Sequence, residues 1–241
     1  MPIKLSIVVP CYNEQERLDD GLRHILSYLK QQTYSWELIL VDDGSSDNTL
    51  GLIRAAAKKN KNINVISYKK NKGKGYAIVQ GVKLAKGKYI LFSDVDHSVP
   101  ISTIGTFYKY FDEGYDAVIG SRRVKGSKLI IKQNPIRENL GRGFTLLVRL
   151  FIDWPIQDAT CGFKAFTNKS AKKLFSAISI YNWAFDAELL FLCKRYGYRY
   201  KQAPVEWQDV RGSKVSLTRD IIGSFLGLVK IRINDFEKKY R

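Results

Sequence analysis

Through its first 120 residues the chain alternates short apolar runs with amphipathic stretches, and that rhythm fits little besides β-α-β units wound around a parallel sheet. Residues 5–9 form an uninterrupted apolar run, and Leu18, Leu22, Ile25, Leu26 and Leu29 follow at helical spacing. Further strands are expected at 37–41, 63–67, 89–93 and 116–120, with helices over 50–58 and 76–85. Asp47 or Ser46 is placed to cap the helix beginning near residue 50. Beyond residue 121 the pattern loosens into a basic loop, helices and one short strand near 203–207. The expectation is an α/β chain: a mostly parallel, Rossmann-like sheet with helices on both faces over 1–217, then an amphipathic helix over 218–241. With 241 residues, 45% of them hydrophobic, the domain has ample material for a core.

In open parallel sheets ligands bind beyond the carboxyl ends of the strands, so the residues closing each strand matter most. The first strand runs into Pro10-Cys11-Tyr12-Asn13-Glu14 and the second into Asp42-Asp43-Gly44-Ser45. The third leads to Asn71-Lys72-Gly73-Lys74-Gly75, and the fourth ends in Asp94-Val95-Asp96. A single Asp-x-Asp or Asp-Asp-Gly is ordinarily turn chemistry. Four polar clusters in order at four strand ends describe a site, and its chemistry suits a nucleotide-sugar donor. Asp94 and Asp96 on one tight turn offer oxygens to Mg²⁺ or Mn²⁺, the diphosphate supplying others. The ion would neutralise charge on the departing nucleoside diphosphate. Asp43 is placed to accept the N3–H of uracil, Tyr12 to stack on the base, and the loop of Gly73 and Lys74 to bring backbone close to the nucleotide. Pro10, Asn13, Glu14 and Val95 complete the expected nucleotide-binding set. No GxxxxGK[ST] loop and no GxGxxG after a strand is present, which removes the P-loop and dinucleotide-binding classes. His24 and His97 lack metal-ligand spacing.

Forty basic residues against 23 acidic give a net charge of +17, unevenly spread. Residues 122–149 hold Arg122, Arg123, Lys125, Lys128, Lys132, Arg137, Arg142 and Arg149 against Glu138 alone. Such a stretch attracts phosphorylated substrates, anionic lipid headgroups or nucleic acid. No nucleic-acid-binding motif accompanies it, so nucleic acid is not an expected partner. Cys11, Cys161 and Cys193 show no paired spacing, which fits reduced thiols.

Four later blocks are more specific: "GSRR" at 120–123, "QDATCGFKAFTNKSAKKLF" at 157–175, "NWAFDAELLFLCKRYGY" at 182–198 and "VEWQDVRGSKVSL" at 205–217. With the strand-end clusters they resemble the inverting family-two glycosyltransferases of GT-A fold, and among them the dolichyl-phosphate glucose synthase branch, sister to the mannose synthases. The resemblance spans nearly the whole chain. It implies metal-dependent, inverting transfer of a hexose, glucose by preference, from a UDP-sugar to a polyprenyl (dolichyl) phosphate. GDP-mannose-dependent transfer is the alternative, and nucleotidyl transfer a remoter one. The resemblance puts Arg122 and Arg137 on the acceptor phosphate and lets Lys214 of "GSK" close over phosphates. It sets Asp158 on the acceptor side as an orienting group or base, beside Asp94, Asp96 and Arg122 in the catalytic set. Arg123 reads as surface, and Glu188 as either functional or a buried ion-pair partner.

Relatives in this branch carry an N-terminal membrane anchor, whereas this sequence opens at strand one. No apolar run reaches the ~20 residues of a membrane span. The expected location is peripheral, on the cytoplasmic face of a membrane. The region from 218 supplies the means: Ile222, Phe225, Leu226, Val229, Ile233 and Phe236 fall on one helical face, with Arg219, Lys230, Lys238 and Lys239 at its rim. It can lie on an anionic membrane surface or pack on the domain.

Overall fold

The computed structural model describes residues 2–152, 155–210 and 217–240. The first half runs β1 (Leu5–Cys11), α1 (Leu18–Lys30), β2 (Trp36–Asp42), α2 (Thr49–Lys59), β3 (Ile63–Ser67), α3 (Lys74–Leu84), β4 (Tyr89–Phe92), a short 3₁₀ turn, α4 (Ile104–Asp112) and β5 (Ala117–Ser121). Then come β6 (Lys128–Ile131), α5 (Pro135–Ile152), β7 (Lys164–Thr167), α6 (Asn168–Ala177), α7 (Phe185–Arg195), β8 (Tyr200–Pro204), β9 (Glu206–Gln208) and α8 (Leu217–Phe236).

Seven strands form one sheet in the order β3-β2-β1-β4-β7-β5-β8, and β6 pairs β9 separately. Leu5, Ile7 and Val9 of β1 turn to a core shared with α1 and α4, while Val8 turns to one built with α3, α6 and α7. Burial on both faces is why the strands read as unbroken apolar runs. The register places the site. Cys11 pairs with Asp42, Asp42 with Ser67 and Val8 with Phe92, so the four strand-end clusters emerge along one edge. Asp47 Oδ1 accepts the Thr49 N–H at 3.0 Å and starts α2.

The second half departs from the sequence expectation in two places. The strand β7 runs antiparallel between β4 and β5, inside the sheet and next to its central strand. The expected strand at 203–207 is two: β8 pairs β5, and after Pro204 the chain leaves the sheet so that β9 can pair β6.

Helix α8 packs on α5 and α7, with Leu228, Ile231 and Asn234 buried. Phe225, Leu226, Ile233 and Phe236, the face expected from periodicity, point outward instead. Glu188 of α7 secures this end of the chain. Its buried carboxylate accepts from Ser179 N, Ser179 Oγ, Ile180 N and the Tyr240 hydroxyl at 2.6–3.0 Å. It is an acceptor for four neutral donors, not an ion-pair partner. No helix among the described residues is long and apolar enough to cross a membrane.

Candidate active site

The first two strand-end loops are stitched together. Asn13, at φ 53°, accepts from Ser46 N at 2.7 Å through Oδ1 and donates its own N–H to Ser45 Oγ at 2.9 Å. Glu14 forms a two-pronged pair with Arg17 and its N–H donates to Thr49 Oγ1. Pro10 is the penultimate residue of β1, and Tyr12, just past its end, is 40% exposed at the rim. Asp43 is almost wholly buried and turned into the neighbouring loop. It accepts from Lys72 N at 2.8 Å, Asn71 Nδ2 at 2.9 Å and Gly73 N at 3.0 Å. Burial raises its carboxyl above the ordinary value, and the Lys72 N–H, the Tyr68 hydroxyl and the Gly73 N–H oppose the rise. Asp43 therefore shapes the loop of Gly73 first, leaving at most one acceptor position for a nucleobase.

The Asp-x-Asp turn projects from β4 as its spacing implies. Val95 is buried beneath it, and Asp96 Oδ1 accepts from Ser98 N at 3.0 Å and Ser98 Oγ at 2.5 Å. Asp94 rests on Gly162, where a Cβ would lie 2.1 Å from Asp94 Oδ2, so the "TCGF" block supplies the floor of the turn. Asp94 Oδ1 meets Lys74 Nζ at 2.5 Å. This carboxylate thus already holds a cation, which shows the turn suited to positive charge. Among the described residues no group of three or more His, Cys, Asp or Glu side chains could hold a metal ion. An ion here would take Asp94 and Asp96 and draw its remaining ligands from a diphosphate, as hard oxygen-loving cations do at phosphate sites. Behind lies a pair that the sequence did not reveal: Lys164 and Asp186, both buried, with Nζ–Oδ1 at 2.5 Å. Burial alone would push the Lys74 ammonium down, but Asp94, then Asp186, hold it above its ordinary value.

The basic stretch forms the other half of the site. A cleft of about 680 Å³ is lined by Arg122, Arg123, Arg142 and Arg149 together with Leu129, Leu146 and Trp207. Arg122 binds Asp158 through Nε at 2.7 Å and Nη2 at 2.8 Å, and its guanidinium lies 5.3 Å from the Trp207 ring. Asp158 also accepts from the backbone of Arg122 and Thr160. Burial would raise its carboxyl, but the Arg122 charge and hydrogen bonds hold it well below the usual carboxylate range. These contacts occupy both oxygens of Asp158 and fix the direction of the Arg122 guanidinium. Arg123, expected at the surface, instead lines the cleft, bonded to Thr145 Oγ1 at 3.0 Å. The side chain of Arg137 and the whole of Lys214 lie outside the described residues.

Comparison with known proteins explains the combination. Residues 6–175 match the model of glycosyl transferase family 2. The chain belongs to that family. It is 33% identical over 242 residues to the dolichyl-phosphate beta-glucosyltransferase of Dictyostelium discoideum, covering 95% of this chain and 74% of that one. To its counterpart in Saccharomyces cerevisiae it is 35% identical over 249 residues, covering 96% and 75%. The fold is that of glucosyl-3-phosphoglycerate synthase from Mycobacterium tuberculosis, solved with Mn²⁺, UDP and glucosyl-3-phosphoglycerate. That match has a TM-score of 0.67 at 19% identity and covers 95% of this chain and 80% of that one. The protein is a glycosyltransferase. The family match takes in all four strand-end clusters, Arg122 and Asp158; Trp207, which closes the arginine cleft, lies beyond it.

Proposed function

We propose that the protein transfers glucose from UDP-glucose to the phosphate of a polyprenol of the dolichol type, with inversion at the anomeric carbon. The observation that carries this reading is an arginine-lined cleft that opens onto an apolar face, in a chain similar to dolichyl-phosphate beta-glucosyltransferases along 95% of its length. A polyprenyl phosphate has the same division into anionic head and isoprene tail. Arg122, Arg123, Arg142 and Arg149 suit the head. Leu146 belongs to the cleft and to the outer surface of α5, where Leu150 is also exposed, and Phe151 meets Phe225 of α8 edge-on.

In the reaction a phosphate oxygen of the acceptor forms a bond to C1 of glucose while the bond from C1 to the β-phosphate oxygen breaks, releasing UDP. A phosphate monoester loses its second proton near pH ~6, so the attacking oxygen is already anionic at neutral pH. No base is needed, in keeping with a saturated Asp158. Positioning by charge-assisted hydrogen bonds from arginine supplies most of the catalysis. A divalent cation, such as the Mn²⁺ in the Mycobacterium synthase, would sit on Asp94, Asp96 and the diphosphate and neutralise charge on the leaving group. The test is a donor panel with a short polyprenyl phosphate, read by mass spectrometry. UDP-glucose should give the glucosyl-phosphoryl lipid. Faster product formation from GDP-mannose would move the assignment to mannose.

The same reading places the protein peripherally on a membrane, at its cytoplasmic face, with α8 as contact. Phe225 and Leu226 are exposed, so Phe225→Glu and Leu226→Glu should melt like the parent. Six basic residues against three acidic over 218–241 add an electrostatic share of about 1 kcal/mol for each basic group near an anionic surface. Co-sedimentation with anionic liposomes should fall for both variants and for the parent in high salt. Undiminished binding by the variants would remove α8 from the contact.

A further inference from the structure

Lys74 opens α3, and the backbone around it is held tightly. Gly73 sits at φ 96° as the residue before the helix, where a Cβ would lie 2.5 Å from Tyr181 O, and the Gly75 N–H donates to that same carbonyl at 3.0 Å. The start of α3 is thereby pinned against the segment leading into α7. Between these two elements the Lys74 side chain runs to Asp94, and its ammonium also lies 5.9 Å from the exposed Trp183 ring. Beyond stands the buried Lys164–Asp186 pair, with Lys164 Nζ also donating to Cys161 O at 2.6 Å. Charges therefore alternate, Asp94, Lys74, Asp186, Lys164, and the set is neutral before any ligand arrives. Lys164 is boxed in on all sides. Lys74 is not: its side chain keeps 22% exposure, on a flexible four-carbon stem.

The geometry points to Lys74 as a resident counter-ion that occupies Asp94 until a divalent cation and the donor diphosphate arrive together, and that then turns onto the diphosphate. The inference rests on the metal-dependent reading above. A dication at Asp94 and Asp96 would stand within a few ångströms of the Lys74 ammonium, and like charges at that range repel strongly in a partly dry site. Metal alone therefore has to displace the lysine from its carboxylate partner, leaving it only the field of Asp186, which is already paired with Lys164. With UDP present, the diphosphate receives it. The consequence is positive coupling between metal and nucleotide, carried by one side chain, and such coupling is reciprocal.

The experiment measures binding, not turnover. Mn²⁺ affinity is determined by electron paramagnetic resonance without nucleotide, and UDP affinity by calorimetry with and without saturating Mn²⁺. These are compared for the parent, Lys74→Met and Lys74→Gln, after thermal melts. The parent should bind Mn²⁺ weakly alone and UDP much more tightly when Mn²⁺ is present. Both variants should bind Mn²⁺ without UDP about tenfold more tightly than the parent, within the usual range of coupling, and Mn²⁺ should tighten their UDP binding less. If either folded variant binds Mn²⁺ alone no better than the parent, the resident counter-ion is refuted while metal dependence stands. If the parent binds no Mn²⁺ even with UDP, the metal reading fails and this inference falls with it.

Discussion

Asp94→Ala should leave the fold standing and lower turnover by on the order of a thousandfold. The carboxylate is the point where three parts of the site meet: the Asp-x-Asp turn, Gly162 beneath it and Lys74 across from it. In the proposed reaction its removal would take away the charge that holds a cation against the leaving diphosphate. Electrostatic stabilisation of that kind amounts to several kcal/mol, and each 1.4 kcal/mol is about tenfold in rate. The fold should survive because the side chain is partly exposed and its loss buries no new charge; Lys74 keeps its exposure and the field of Asp186. Asp96→Ala should be milder in its structural effect still, since among the described residues Asp96 hydrogen-bonds within its own turn, to Ser98. The measurement is a melt alongside initial rates with UDP-glucose and a short polyprenyl phosphate, with and without EDTA. An Asp94→Ala enzyme within tenfold of the parent, or a parent indifferent to EDTA, would place the leaving-group chemistry elsewhere.

The parts of this molecule legible in sequence are those with a local cause. Strands β1 to β4 are buried on both faces, so each reads as an apolar run. The polar clusters that follow them are forced to one edge by parallel register. Lys164–Thr167 has no such signature. It is four residues long and begins with a lysine, and its central place depends on Asp186 arriving from α7 to pair that lysine. The loop-shaping part of Asp43 was hidden for a related reason. Its position at a strand end was visible, but not the three donors from the next loop that turn it inward. Arg123 and Arg122 are neighbours in a basic run, and only the fold, which brings α5, Trp207 and the 155–157 segment around one cleft, makes both line it. The C-terminal helix divides likewise. Periodicity marked its apolar face but not the direction in which that face points, and the inward set of Leu228, Ile231 and Asn234 is defined by the helices it meets.

Arg122→Ala should cost both stability and acceptor use, and the two losses can be separated. Asp158 is fully buried and receives five donor contacts, of which Arg122 supplies three. Removing the side chain of one partner of such a pair leaves the other charge uncompensated, at about 3–5 kcal/mol. For a domain of this size that is a fall in Tm on the order of 10 °C. Arg122→Lys should recover little, because an ammonium cannot reproduce the forked contact to both carboxylate oxygens. Replacing both partners, as in Arg122→Met with Asp158→Leu, removes both charges together and should regain much of the lost stability. Turnover with polyprenyl phosphate should stay low in that double variant, and its UDP affinity should match the parent's, because the guanidinium faces the arginine-lined cleft proposed for the acceptor and not the strand-end loops proposed for the nucleotide. The pH dependence has a definite sign. Arg122 depresses the folded-state pKa of Asp158, against the rise that burial would cause. Its contribution is therefore full above the unfolded value of about 3.9 and is lost as pH falls below that value towards the folded one. The stability gap between the parent and Asp158→Asn should be constant from neutral pH to about 5 and narrow in stronger acid. A double variant as unstable as Arg122→Ala, or one with full acceptor turnover, would show that this pair is neither the anchor of the cleft nor part of its grip on phosphate.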